Sequence, residues 1–169
     1  MSSTKTLYVI LNVIIILILT SIGIGIFVLS MRLFGVEQNF IFIDEDVLTY
    51  KTEAMLYRYT FFKLVIYAVF VAALWKLRKA TKLLLNNDFH NVELIMEMFN
   101  SGKLMLLSSV TLWFVDELSN RYFKRHVLEG LSEKTLVYLI VIMMGLFLML
   151  MSTVLRDTKI IKEENDLTI

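Results

Sequence analysis

Residues 7–30 read LYVILNVIIILILTSIGIGIFVLS, a run of 24 positions without a charged side chain. About 20 consecutive apolar residues cross the hydrocarbon core of a bilayer as an α-helix. The apolar region of a cleaved signal peptide is only about 7–15 residues long and ends at a small-residue cleavage site. This stretch is longer and continues into Met31-Arg32-Leu33. We therefore predict a retained transmembrane helix.

Three further apolar segments follow, roughly at 55–75, 104–123 and 136–155. Across the 169 residues, 57% are hydrophobic and the mean hydropathy is +0.70, whereas soluble domains hold about 45–50% apolar residues. The sequence predicts an all-α fold, with four transmembrane helices forming one integral membrane domain over residues 1–169.

Composition and motifs argue against several classes of function. The chain has no Cys and only two His, and its net charge is +1. It contains no nucleophile elbow, no His-Glu-x-x-His and no glycine-rich phosphate loop. We therefore expect a non-enzymatic protein without a metal or cofactor. Because its few clustered basic residues follow a membrane segment, we also expect no direct nucleic-acid binding.

The orientation is predicted from the basic run KLRK at 76–79, which directly follows the second segment. Lys and Arg close to a transmembrane segment favour the cytoplasmic side. Both termini and the connection 76–103 are then expected in the cytoplasm of a plasma-membrane protein.

The connection 76–103 is predicted to be a cytoplasmic helical hairpin. WKLRKATKLLLNN would extend the second helix past the membrane, and Asn86–Asp88 would end it, because short polar side chains favour turns. A new helix would begin at His90, whose spacing to Glu93 fits a capping box. The third helix could then extend from about 91 to 129, with Ser101–Gly102 as a point where it could bend.

One face of this hairpin is predicted to bind a partner. Phe89, Val92, Met96 and Phe99 lie at offsets of 0, 3, 7 and 10, on one side of a helix. Such a face could cover Leu83–Leu85, the membrane surface or another protein, and Met is common at adaptable binding surfaces.

The C-terminal KEENDLTI is a second predicted docking element. Its acidic residues are followed by apolar residues with the period-two spacing of an extended segment, which could add to a groove or a sheet edge. The basic residues from Lys76 to Lys82 are expected on the same side of the membrane. The alternative is a solvated, frayed terminus. The docking residues would be Glu163, Glu164, Asp166, Leu167 and Ile169.

Charged residues inside the predicted spans suggest an intramembrane ion pair. Lys63 lies thirteen residues before Lys76, and Asp116 lies thirteen residues after Lys103. If both lysines mark the inner surface, Lys63 and Asp116 have the same depth, about 20 Å above it. We expect Lys63 to pair with Asp116 or Glu117; separate snorkelling of these groups or an ion pathway are the alternatives.

Ser21 and Gly25 form a small-xxx-small pair in the first predicted helix. Such pairs let helix backbones approach closely. The contact could lie inside one bundle or between copies in a homo-oligomer.

Two passages resemble the domain-of-unknown-function 2975 family of bacterial membrane proteins. They are LRKATKLLLNNDFHNVELIMEMFNSGKLMLL at 77–107 and IIKEENDLTI at 160–169. The family pattern has a basic Leu-Arg-Lys stretch, a polar turn, a Phe, a cap and an amphipathic run to a Gly. Here His90 stands where the family usually has Ser or Thr.

The resemblance implies a multi-pass bacterial protein whose gene often lies beside that of a small helix-turn-helix regulator. It thus implies a sensor or sequestering partner of a cytoplasmic transcription regulator. A small channel or transporter subunit is the alternative.

Overall fold

The computed structural model describes residues 2–34, 53–85, 91–123 and 133–166. Within these ranges the chain is all-α and contains no strand. The four long helices are α1 (Ser2–Leu33), α2 (Glu53–Leu85), α3 (Val92–Leu118) and α4 (Glu133–Asp166). A π-helical turn, Ser119–Phe123, continues α3. The predicted all-α class is confirmed, and α2 continues past the predicted span to Leu85.

The helices form an antiparallel row in chain order, in which α2 packs between α1 and α3, and α3 between α2 and α4. A buried cluster of Leu11, Ile15, Ala73, Leu74 and Met105 joins the first three helices. We call the end where α2 stops and α3 starts the hairpin end. There, Arg78 Nη2 of α2 donates a hydrogen bond to Tyr8 Oη of α1, at 3.1 Å.

Three helices are long and apolar enough to cross a membrane: α1 over Thr4–Met31, α2 over Ala54–Leu85 and α4 over Lys134–Asn165. The helix α3 is not among these candidates, and its buried surface carries polar residues. Those buried polar residues are Glu97, Ser101, Ser108 and Ser109.

The closest approach of α3 and α4 is at two glycines. A Cβ atom added to Gly102 would lie 2.5 Å from the Gly145 carbonyl oxygen, and one added to Gly145 would lie 2.9 Å from the Gly102 carbonyl oxygen. The helix α3 is uninterrupted through Gly102. This glycine therefore allows backbone contact between α3 and α4.

Serine hydroxyls form hydrogen bonds between α3 and each of its two neighbours, α2 and α4. Ser101 Oγ donates to the Ala73 carbonyl of α2 at 2.9 Å, and Ser152 Oγ of α4 donates to the Ile95 carbonyl at 2.7 Å. Small residues and interhelical hydrogen bonds are typical of helix association in membranes.

The start of α3 corrects the prediction of a His90 cap. Asn91 is the N-cap, and its side chain accepts a hydrogen bond from the Glu93 amide at 2.8 Å. Asn is among the strongest N-cap residues because its short side-chain oxygen reaches these first amides. His90 itself lies outside the described residues.

The small residues of α1 differ in their environment. A Cβ on Gly25 would make an ordinary 3.4 Å contact with Leu64 of α2, whereas a Cβ on Gly23 would meet nothing within 4 Å. Gly25 thus faces the next helix of the same bundle. Ser21 is exposed.

Candidate functional sites

Three helices contribute to a polar cluster around Asp116, formed by Tyr59, Lys63, Asp116 and Tyr138 and here called the Asp116 cluster. Tyr59 Oη donates to Asp116 Oδ1 at 2.6 Å, and Tyr138 Oη donates to Asp116 Oδ2. Lys63 Nζ lies 3.7 Å from Asp116 Oδ1 and 4.8 Å from the centroid of the Tyr59 ring. Both Asp116 carboxylate oxygens therefore have hydrogen-bond donors.

The sequence predicted that Lys63 and Asp116 lie at the same depth, and in the structure the two side chains are in contact. The side chain of Glu117 pairs with a different residue: its Oε1 atom is 2.8 Å from Nε of Arg121, one helical turn later. The two tyrosines were missed at the sequence level. Tyr59 lies one turn before Lys63, which was a usable signal, whereas no spacing links Tyr138 to Asp116.

A cavity of about 420 Å³ lies beside this cluster, between α2, α3 and α4. It is partly open, and its wall carries Lys63 and Lys134 at one end. The lining is otherwise apolar apart from two serines and two tyrosines. The remaining lining residues are Ile66, Tyr67, Phe70, Ser108, Ser109, Leu112, Val137, Tyr138 and Val141.

A second charged group joins α2 to α3 at the hairpin end. Lys76 Nζ and Lys79 Nζ each lie 3.0 Å from a Glu97 oxygen, and Lys79 Nζ lies 2.7 Å from Glu93 Oε1. Burial alone would raise the pKa of Glu97, but the hydrogen bonds from the two lysines outweigh it and lower that pKa below its usual value. These contacts stabilise the predicted hairpin, and they occupy basic residues to which the C-terminal tail was predicted to dock.

Arg78 of the same basic run faces α1. Its guanidinium lies 5.1 Å from the Trp75 ring centroid and 5.4 Å from that of Tyr8. Arg and aromatic rings in this arrangement attract each other.

A groove between α3 and α4 at the hairpin end brings together residues from both predicted docking elements. It has a volume of about 410 Å³. Val92, Met96 and Phe99 line one wall and are 59%, 58% and 40% exposed. Glu163 lines the opposite wall. The other lining residues are Ile95, Ser152, Thr153, Arg156, Lys159 and Ile160.

The tail is not extended up to Asp166, because α4 continues to that residue. Local pairing such as Lys159–Glu163, at 3.5 Å, supports a helix in this part of the tail, whereas the predicted period-two spacing concerns only Leu167 and Ile169. Glu164 is exposed on the same helix. Phe89, Leu167 and Ile169 lie outside the described residues, and Asp166 is the last residue of α4.

No protein-family model matches the chain, and comparisons with curated proteins and with solved structures likewise find no match.

Proposed function

We propose that this chain is a non-enzymatic protein of the bacterial plasma membrane that binds a cytoplasmic protein partner at its hairpin end. In this proposal all four helices cross the membrane, and both termini are cytoplasmic. The partner is the helix-turn-helix regulator that the family resemblance implies. This chain would act either as a sensor that signals to the regulator or as a protein that sequesters it.

The polarity of α3 is compatible with a fourth span. A helix that packs between α2 and α4 presents less surface to lipid than the outer helices do, so it tolerates serines and charges on its buried faces. In the antiparallel row the basic residues 76–79 lie at the same bundle end as the start of α1 and the end of α4. The positive-inside rule favours the cytoplasmic side for that end and so supports the proposed orientation.

The observation that carries the partner proposal is the groove between α3 and α4. Part of it lies beyond the predicted fourth span, since α4 continues past Leu155 for a further 11 residues, about 16 Å. Val92, Met96 and Phe99 give it an exposed apolar wall. A groove of this kind accepts the apolar face of an amphipathic helix.

The groove also indicates the charge of its occupant. Among the described lining residues, the two cations Arg156 and Lys159 outnumber the one carboxylate, Glu163. Lys159 pairs with Glu163 at 3.5 Å, and Arg156 lies 3.8 Å from Asp157. We therefore expect a partner helix whose apolar face is flanked by acidic side chains.

Two adjacent isoleucines provide a matched test. Ile160 lines the groove and is 46% exposed, whereas Ile161 is 58% exposed and does not line it. We expect Ile160→Asp to weaken co-purification with the regulator encoded beside the gene at least tenfold, and Ile161→Asp to leave it unchanged. Equal effects of the two variants, or binding of anionic vesicles but not of the regulator, would contradict the proposal.

The topology has its own test. Reporter fusions at residue 45 and at the C-terminus should report opposite sides of the membrane. Reporters on the same side would rule out four spans.

A small channel or transporter subunit is the alternative, and the cavity beside the Asp116 cluster favours it. Ion flux into proteoliposomes that exceeds the flux into empty vesicles and falls in Asp116→Asn would support this alternative over partner binding.

A further inference from the structure

The cavity between α2, α3 and α4 has a cationic end and an apolar end. Lys63 and Lys134 lie at one end of its lining. Phe70 and Val141 each lie seven residues further along the same helices, toward the middle of the bundle. We propose that this cavity binds a single acyl chain that carries an acidic headgroup, with the acid at the lysines and the tail toward Phe70 and Val141.

The charges favour an acid over a base. No carboxylate is among the described residues that line the cavity. Asp116 lies beside it, but its Oδ1 accepts from Tyr59 and its Oδ2 from Tyr138. Among the described residues at this end, two ammonium groups stand beside this one carboxylate, so the charges of these residues sum to a net positive value. A ligand acid would balance it, whereas a ligand cation would add to it.

The dimensions favour a medium-length tail. Seven residues of helix correspond to about 10 Å, which fits an extended chain of roughly eight carbons with 1.5 Å bonds. The volume of about 420 Å³ falls within the range of small-molecule sites, roughly 300–1,000 Å³. Ser108 and Ser109 are small residues of α3, and their size leaves room between the larger side chains of α2 and α4.

This site is separate from the groove for the protein partner, which lies at the hairpin end. Its ligand could be a free fatty acid or one chain of an anionic phospholipid, since both present an acid next to an acyl chain. The test below separates these two sources.

The test measures binding of decanoate to the full chain in phosphatidylcholine nanodiscs, without detergent, because detergents are themselves amphiphiles. We expect saturable binding, and much weaker binding of decyltrimethylammonium, which has the same tail and the opposite charge. Val141→Phe and Val137→Phe add bulk inside the cavity and should each reduce decanoate affinity at least tenfold. Ile140→Phe is the matched control, because Ile140 is exposed on the same helix and does not line the cavity.

Lys134→Met should weaken decanoate binding several-fold while leaving thermal stability unchanged. If Val141→Phe fails to fold, Val137→Phe decides, because Val137 lines the cavity but is 56% exposed, so a larger side chain there narrows the cavity with less disturbance of the packed core. Phosphatidylglycerol added to the discs identifies the source. If phosphatidylglycerol competes with decanoate and raises the melting temperature of the wild type but not of Val137→Phe, the ligand is a phospholipid chain. If phosphatidylglycerol has neither effect, the ligand is the free acid.

Three results would overturn the inference. The first is that neither decanoate nor phosphatidylglycerol distinguishes the wild type from the cavity-filling variants. The second is equal affinity for the cationic probe. The third is an Ile140→Phe variant that loses as much affinity as Val137→Phe.

Discussion

Replacing Gly102 by Ala should destabilise the bundle, because the added methyl group would enter the backbone of α4. Its Cβ would lie 2.5 Å from the Gly145 carbonyl oxygen and 3.1 Å from the Met149 amide nitrogen. Neither atom belongs to a flexible side chain, so α3 and α4 must separate. Overpacking of this kind costs about 1–3 kcal/mol, partly offset by the higher helix propensity of Ala, up to about 1 kcal/mol.

The other glycines supply graded controls. Gly145→Ala should cost less, since its nearest contact is 2.9 Å, and Gly25→Ala should be almost neutral because its contact is 3.4 Å. Gly23→Ala meets nothing within 4 Å and should be neutral or slightly stabilising. The order of stability should be Gly23→Ala, Gly25→Ala, Gly145→Ala and Gly102→Ala, from most to least stable.

Thermal unfolding of the purified variants in one detergent measures this order. A change of 1 kcal/mol shifts the melting temperature of a chain of this size by about 2–4 °C, so Gly102→Ala should melt several degrees below Gly23→Ala. The double variant Gly102→Ala/Gly145→Ala should cost less than the sum of the two single changes, because one separation of the helices serves both. A Gly102→Ala protein as stable as Gly23→Ala, or strict additivity, would refute the close backbone contact.

Three further predictions concern the charged and polar clusters. Lys63→Met and Asp116→Asn should each lower the melting temperature, and the double variant should recover part of the loss, because each single change leaves one charge without its partner; full additivity would contradict the pairing. Tyr138→Phe should lower the free energy of unfolding by about 1–2 kcal/mol, because it removes a hydrogen bond to a carboxylate. Its control is Tyr122→Phe, at a residue that is 64% exposed, which should lower it by less than about 0.5 kcal/mol, as surface changes do. The pKa of Glu97 is lowered in the folded state, so its carboxylate contributes to stability above the ordinary Glu pKa, and this contribution is lost as the pH falls through the folded-state pKa. The difference in melting temperature between wild type and Glu97→Gln should therefore shrink below about pH 4. A difference that stays constant with pH would show that the carboxylate is not ion-paired.

Much of the architecture was predictable because it depends on local patterns. A charge-free run of apolar residues predicts a membrane-length helix whatever its neighbours are. Antiparallel packing of α2 against α3 followed from the short connection between them. The depth of Lys63 and Asp116 could be compared because helical rise is constant.

The features that were missed depend on partners distant in the sequence. Tyr138 reaches Asp116 only because α4 packs on α3 in a register set by Gly102 and Gly145. The cap was misassigned for a local reason: two adjacent polar residues, His90 and Asn91, both precede the apolar run, and one position decides which side chain reaches the first amides.

Part of the polarity of α3 lies on faces that pack against its neighbours. An outer helix such as α1 meets one neighbour and must present apolar side chains over most of its circumference. The helix α3 meets two neighbours, and its buried faces carry serines that donate to carbonyls, as Ser101 does, or that lie against the cavity, as Ser108 and Ser109 do. A hydropathy average counts these serines against α3 although they are buried. A serine on such a face lets the helices approach closely and supplies a donor, whereas a leucine would push the helices apart. The helix α2 also lies between two neighbours and is nevertheless apolar enough to span a membrane, so a central position permits the polarity of α3 without requiring it. That polarity is compatible with the four-span proposal.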